Sequence, residues 1–330
     1  MYIFVSGGKT MGHISPLLGI ILSLKDKYKF IYFGLENSRE EDICKKYDIE
    51  FHKMKLLPLY RKNIFKNFKT LYYINKEKKV IGKLYKNHNV KAIISSGGYV
   101  SVPLVLAIKK TKKILLESNT SLGVSNKFLS FFVNHIGVQF DTINHKKSIL
   151  VGNPIIIEKS EFDHPFFYYN EPVILFVGGS NGALEIVELA HKFNQTYPNI
   201  KLFVITGEKY YDSFEFNKNV VIYKSIFKLS SILNKFSLII SRAGAATITE
   251  LLLSESKFIL YPSKNVTGNH QMKNAMYLYN MNICGFINDE NIDLKVKYIY
   301  EFHINNSKGN MDSKVLITDS VERIKKLIGK

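Results

Sequence analysis

Three glycine-rich stretches hold the residues whose types and spacing could do chemistry. The first reads Ser6-Gly7-Gly8-Lys9-Thr10-Met11-Gly12-His13 and the second Val177-Gly178-Gly179-Ser180-Asn181-Gly182-Ala183. The third reads Ser241-Arg242-Ala243-Gly244-Ala245-Ala246-Thr247-Ile248-Thr249-Glu250. Each follows a short apolar run and opens a helical pattern, which presents backbone N–H groups at a helix N-terminus and suits an anion such as phosphate. The first contains Gly-Lys-Thr but is not a P-loop, because Ile3 stands where that loop needs its first glycine. It is not the dinucleotide fingerprint either, since Lys9 occupies the second glycine position. A plain tight turn and a ligand loop stay equally open for it. His13 lies beside the loop and titrates near neutral pH, although a lone histidine is more often structural than catalytic. Glu250 falls one to two turns into the third helix, where a carboxylate can accept two hydrogen bonds from a ribose diol. A surface glutamate favoured by the helix dipole is the plainer reading.

Positioning such loops requires strands that end at them. The first half offers apolar, β-branched or aromatic runs at Tyr2–Val5, Phe30–Phe33, Ile49–His52, Ala92–Ser95 and Lys113–Leu116, with helical patterns at Ile14–Lys25, Glu40–Tyr47 and about Arg61–Lys86. Between Val151 and Pro172 this rhythm dissolves. It restarts with strands at Val173–Val177, Lys201–Ile205, Val220–Tyr223, Leu238–Ile240 and Phe258–Tyr261, and helices beginning near Gly182, Lys228, Ala245 and Gly268. A last helix is expected over about Asp312–Ile328. The alternation predicts an α/β fold of two doubly wound, Rossmann-like domains facing a central cleft. The expected division is residues 1–155, a linker at 156–171, a second domain at 172–310, and a C-terminal helix at 311–330 that returns toward the first domain.

A chain of 330 residues accommodates two such domains. Cys44 and Cys284 lie far apart without metal-ligand spacing and read as small core residues in a reducing compartment. The opening Met1-Tyr2-Ile3-Phe4-Val5 predicts no signal peptide, and the apolar runs Ile14–Leu24 and Phe128–Val133 are too short or interrupted to span a bilayer. The expectation is a soluble or peripheral protein. A net charge of +18 suits nucleic acid, an anionic membrane or acidic substrates, and abundant lysine, isoleucine and asparagine leave codon bias as a further source. No recognition-helix, RNP or zinc signature supports nucleic acid, so none is expected as a partner.

Seven motifs run in order along almost the whole chain: residues 6–16, Gly-Gly-Tyr-Val-Ser at 97–101, Glu117-Ser118-Asn119 followed by Asn126-Lys127, Val-Gly-Asn-Pro at 151–154, Gly-Gly-Ser-Asn-Gly-Ala at 178–183, Arg-Ala-Gly-Ala-Ala-Thr at 242–247 and His-Gln-Met-Lys-Asn-Ala at 270–275. In this order they resemble the MurG family of glycosyltransferases. The resemblance implies a GT-B fold of glycosyltransferase family 28. It implies inverting transfer of N-acetylglucosamine from UDP-N-acetylglucosamine to undecaprenyl-linked lipid I, yielding lipid II for peptidoglycan. The first half then serves the acceptor, with Gly97, Gly98 and Tyr99 on that side, and the second holds the donor. Thr10, Met11 and Gly12 match a loop reaching the donor, and Asn119 a sugar contact. Ser180 matches a diphosphate-side serine, Ile226 a backbone contact to uracil, and Ala245, Ala246, Thr247, Ile248, Thr249 and Glu250 the nucleotide loop with its ribose-binding glutamate. Gln271 matches a glutamine on the sugar hydroxyls, and His13 is the implied general base. The helix N-termini after Gly182 and Gly244 would stabilise departing UDP. No Asp-x-Asp pair occurs, and neither cofactor nor catalytic metal is expected.

Several positions depart from the family pattern. Leu116 replaces a histidine, Ile156 and Leu184 replace arginines, and Glu255-Ser256-Lys257 replaces Gly-x-Pro. Loss of arginine removes a bidentate phosphate contact that lysine does not reproduce. A different lipid acceptor, diacylglycerol or another polyprenyl glycan, therefore stays open beside lipid I, as does a non-catalytic sugar-nucleotide sensor. A lipid acceptor implies a peripheral place on the cytoplasmic face of the membrane, bound to its anionic surface. Leu59, Tyr60, Ile64, Phe65, Phe68, Leu71, Tyr72 and Ile74 among the lysines of 56–86 read equally as an interfacial helix or as a core helix with a basic face. Phe128-Leu129-Ser130-Phe131-Phe132 reads as core.

Overall fold

The computed structural model describes residues 1–58, 66–168, 171–179, 182–226, 228–264, 266–305 and 315–329. The chain divides into two compact units, Met1–Ile156 with Ile317–Lys330, and Ile157–Leu316. In the first, the order is β1 (Tyr2–Ser6), α1 (Met11–Leu24), β2 (Lys29–Leu35), α2 (Arg39–Lys46), β3 (Glu50–Met54), α3 (Lys66–Asn87) and β4 (Val90–Ser95). It continues with α4 (Val102–Ala107), β5 (Lys112–Glu117), α5 (Val124–Leu129), β6 (His135–Val138) and β7 (Ser148–Leu150). The second contains β8 (Val173–Val177), α6 (Leu184–Thr196), β9 (Lys201–Ile205), β10 (Val220–Tyr223), β11 (Leu238–Ser241) and α7 (Ala245–Leu253). There follow β12 (Phe258–Leu260), α8 (His270–Asn280), β13 (Gly285–Phe286) and α9 (Ile292–Ile304), before α10 (Ser320–Gly329) completes the first unit.

All pairings in the two sheets are parallel, in the orders β3-β2-β1-β4-β5-β6-β7 and β10-β9-β8-β11-β12-β13. The strand order reverses between β1 and β4 and again between β8 and β11. In doubly wound sheets the crevice beyond the carboxyl ends at such a reversal receives ligands. The glycine-rich loops leave β1, β8 and β11, which places all three at these crevices.

Alternation along the central strands divides the first unit's core. Ile3 and Val5 face α1 and α10, with Leu17, Ile20, Ile324 and Ile328 buried among them. Phe4 and Ile93 face the other side, against Ile74 and Ile81 of α3, Leu104 of α4 and Leu129 of α5. In the second unit Ile174, Phe176 and Ile240 pack with Ile186 and Phe193 of α6 and Val296 and Ile299 of α9. Within residues 157–168, Phe167 stacks on Phe203 at 5.3 Å between ring centroids, so this stretch covers the second unit's sheet. Cys44 and Cys284 are free and buried, and burial pushes both thiols up to about 12.

The structure changes several expectations. The run Phe128 to Phe132 is not core as a whole. Leu129 is buried, but Phe128, Phe131 and Phe132 are exposed, Phe131 by 78%. The six residues of α5 expose one side, because only Leu129 and Asn126 turn toward the sheet. The last helix begins at Ser320 rather than 312. The Asp319 carbonyl accepts the first helical hydrogen bond, from Arg323 N at 3.1 Å, so the helix starts just after it. Residues 311–314 lie outside the described residues, as do Leu59, Tyr60, Ile64 and Phe65 of the basic segment. The helix expected near Lys228 is a three-ten segment, Leu229–Lys235, entered through Lys228 at φ 56°. Among the described residues no helix is long and apolar enough to cross a membrane.

Candidate functional site

In the first unit the crevice is built from the loops after β1, β4 and β5. Lys9 adopts φ 75° and Thr10 an extended N-cap conformation, and α1 starts at Met11, with Gly12 and His13 in its first turn. The His13 ring meets the end of β4, its Nδ1 lying 2.8 Å from the Ser96 carbonyl oxygen, and Ser96 Oγ donates back to the His13 carbonyl at 2.6 Å. A carbonyl only accepts, so Nδ1 carries the hydrogen and the neutral ring holds its lone pair at Nε2. Such a tautomer fits a general base. An added Cβ at Gly98 would lie 3.8 Å from His13 Nε2, so the glycine loop runs beside the basic nitrogen. Glu40 is fully buried in the first turn of α2 and braces the loop after β1, accepting from Lys9 N and Leu35 N at 3.3 Å each. Burial, followed by the charge of Glu40, raises the Tyr99 phenol above its ordinary range. The Lys9 ammonium stands 5.9 Å from the centre of the Tyr99 ring.

Asn119 follows β5, where its backbone N and side-chain Nδ2 both donate to Glu117 Oε1, at 3.0 and 2.9 Å. Glu117 Oε2 accepts from Gly123 N at 3.0 Å and Asn126 Nδ2 at 2.8 Å. The Asn126 oxygen presses on Gly97, where a Cβ would fall 1.8 Å away and φ is 90°, so only glycine fits.

In the second unit the corresponding loops follow β8, β10, β11 and β12. Ser180 lies outside the described residues. Gly182 has φ 71° and stands so close to Thr206 that a Cβ would meet its carbonyl oxygen at 2.1 Å, which fixes glycine at the start of α6. Ile226 lies just past the end of β10, partly buried. Gly244 caps α7 in extended conformation without a side-chain hydrogen bond, so the first-turn N–H groups of Ala245, Ala246 and Thr247 point outward. These are the donors an anion would take. Ile248 is fully buried, and the Thr249 hydroxyl donates to Ala245 O at 2.9 Å, so both side chains serve the helix interior. Arg242 fixes the loop from beneath. Its guanidinium donates to Glu185 Oε2 at 2.6 Å and to the Tyr261 carbonyl at 3.1 Å, joining α6, β11 and β12.

Glu250 is largely buried, and that burial alone pushes its carboxyl up to about 7. Gln271, in the first turn of α8, accepts from Ser263 N through Oε1 at 2.8 Å, which turns Nε2 away as a donor. The expected residues thus gather at two sheet crevices, Thr10 to His13, Gly97 to Tyr99 and Asn119 in one unit, and Ile226, Ala245 to Glu250 and Gln271 in the other. Nothing in the sequence singles out Glu40, Ser96 or Ser263 as their supports. Glu117 does leave a signal, a carboxylate ending the apolar run Ile114-Leu115-Leu116 at the start of the motif Glu117-Ser118-Asn119. Leu116 is buried and packs near Gly137, so an apolar side chain suits its place, whereas Ile156 and Leu184 are exposed.

Comparison with known proteins follows the same division. Residues 3–138 match the glycosyltransferase family 28 N-terminal domain and residues 173–328 the family 28 C-terminal domain. The chain is 35% identical over 302 residues to the UDP-N-acetylglucosamine–N-acetylmuramyl-(pentapeptide) pyrophosphoryl-undecaprenol N-acetylglucosamine transferase of Bacillus cytotoxicus, covering 83% of this chain and 82% of the relative. It is 31% identical over 309 residues to the transferase of the same description from Lactobacillus johnsonii, covering 84% and 82%. Among solved structures, Acinetobacter baumannii MurG superposes with a TM-score of 0.76 at 17% identity, over 99% of each chain, which shows the shared GT-B fold. With both domain models matched in order and this identity across most of its length, the chain belongs to glycosyltransferase family 28, as a member of the MurG family.

Proposed function

We propose that this enzyme transfers N-acetylglucosamine from UDP-N-acetylglucosamine to the N-acetylmuramyl residue of pentapeptide pyrophosphoryl-undecaprenol, converting lipid I to lipid II. The observation that carries the reading is identity of 31–35% to transferases of that description across more than four-fifths of the chain. The site geometry supports it step by step. His13 Nε2 takes the proton of the acceptor hydroxyl. The freed oxygen bonds to the anomeric carbon as the bond from that carbon to the UDP oxygen breaks, with inversion. The uncapped N-terminus of α7 receives the charge that grows on the diphosphate. Glu250 accepts the ribose hydroxyls, Gln271 Nε2 donates to the sugar, and Ser180 and Ile226 serve the diphosphate and uracil. The reading assigns no step to a metal.

The acceptor is lipid-bound, and the first unit carries a surface suited to reach it. Phe68, Leu71 and Tyr72 on α3 are 50–67% exposed, while Ile74 and Ile81 of the same helix are buried. Val124, Phe128, Phe131 and Phe132 stand out from α5 and the turn after it. Both α3 and α5 pack on α4, so the two groups share one face of the sheet. Exposed Lys69, Lys76, Lys79 and Lys127 lie among them. Apolar side chains with neighbouring lysines bind an anionic membrane interface. This supports a peripheral place at the membrane.

Assaying the enzyme with UDP-N-acetylglucosamine and either lipid I or diacylglycerol tests the acceptor. Lipid I is the expected substrate, and turnover with diacylglycerol alone contradicts the reading.

A further inference from the structure

We propose that Glu117 is a positioning residue that orients Asn119 toward the sugar and holds the loops after β4 and β5 in register. The proposal deepens the reading of the site given above, since it rests on Asn119 as a sugar contact. Glu117 is only 3% exposed and ends β5 at the crevice. Four N–H donors converge on it within 3.0 Å, from Asn119 N, Asn119 Nδ2, Gly123 N and Asn126 Nδ2. A carboxylate offers about four lone-pair sites on two oxygens and matches this set, whereas a glutamine has one accepting oxygen and would turn an NH2 group into donors.

The arrangement fixes more than the fold of a loop. Because Asn119 Nδ2 is bound to Glu117, the amide oxygen faces the other way and serves as an acceptor for a sugar hydroxyl. The second oxygen of Glu117 holds Asn126, whose own oxygen sits against Gly97. Gly97 follows Ser96, the residue that sets the tautomer of His13. One buried carboxylate therefore connects the orientation of Asn119 with the loop beside the base.

A double-mutant cycle tests this on the full-length enzyme, with UDP-N-acetylglucosamine and lipid I. Glu117→Gln and Asn119→Ala are each expected to lower kcat/KM for the donor by about 100-fold, as misplacement of a positioning group does. The double variant loses no more than Glu117→Gln alone, because that substitution already removes the contact that Asn119→Ala removes. Affinity for UDP alone stays within a factor of about two, since the two sites are independent. Asn119→Asp is an independent probe on a chain that retains Glu117. It sets a second carboxylate beside the first, and the pair shares a proton, so its activity relative to wild type rises as the pH falls from about 8 to 6. Multiplicative losses in the cycle, or a pH profile for Asn119→Asp parallel to wild type, overturn the proposal. If Glu117→Gln does not fold, the Asn119→Asp profile decides alone. An active wild type with multiplicative losses sinks only the role of Glu117, whereas a wild type inactive on lipid I sinks the proposed function as well.

Discussion

Glu250 takes its chemistry from burial. Its carboxyl is pushed up to about 7, so near neutrality it is part protonated in the free enzyme. In the proposed site a ribose diol brings O–H donors that favour the charged form, so nucleotide binding is expected to expel a proton. The free state then holds more protons than the bound one, and UDP affinity is expected to rise between about pH 6 and pH 8. Calorimetry in buffers of different ionisation enthalpy reads that proton release, and Glu250→Gln should abolish it. An affinity flat with pH in the wild type contradicts the assignment. The same group costs stability in the opposite sense. The folded chain keeps the proton that the unfolded chain loses above its ordinary 4.5, so this contribution weakens as pH rises from 4.5 toward 7. Glu250, Gln271 and His13 could be nominated from spacing and family resemblance. Their supports could not, because Ser96 lies 83 residues from His13 in sequence and only the pairing of β4 with β1 brings them together.

The C-terminal end of α7 shows how an element absorbs departures from the family pattern. Glu255 occupies the left-handed region at φ 54°, just after Ser254 ends the helix, the position where helices favour glycine. Glu255→Gly is expected to stabilise the protein by roughly 0.5–1 kcal/mol by relieving that conformation. A rise in Tm checks it, and a fall would show that the Glu255 side chain contributes more than its backbone costs. Lys257, where the family has proline, caps α9 instead, its ammonium bonded to the carbonyls of Phe302 and Asn305. Burial lowers the pKa of this lysine. At this scale the sequence was most legible where strands are buried on both faces. Tyr2–Ser6, Val173–Val177 and Leu238–Ser241 are continuous apolar runs beside glycine turns. β6, β7 and β13 were not legible, since they have four, three and two residues and their pairing, not their composition, makes them strands. The six-residue α4 and α5 are too short to show a helical period. The aromatic run after α5 misleads for a different reason. Composition reports how apolar a segment is, not whether the sheet has room to cover it.

For the whole molecule, the proposed place at an anionic lipid surface rests on the exposed aromatic face of the first unit, and the net charge of +18 is compatible with it. Replacing Phe128 and Phe131 with serine is expected to weaken binding to vesicles containing anionic lipid by at least about tenfold, at ~0.8 kcal/mol per buried CH2 group. UDP binding should be unchanged, and unaltered vesicle binding would remove this face from the account. The central claim concerns group transfer itself. It is tested most directly by measuring UDP released and glycolipid formed in one reaction containing UDP-N-acetylglucosamine and lipid I. The account predicts one lipid II, with the new sugar in inverted configuration, for each UDP released. UDP release without glycolipid, or no release at all, would contradict it.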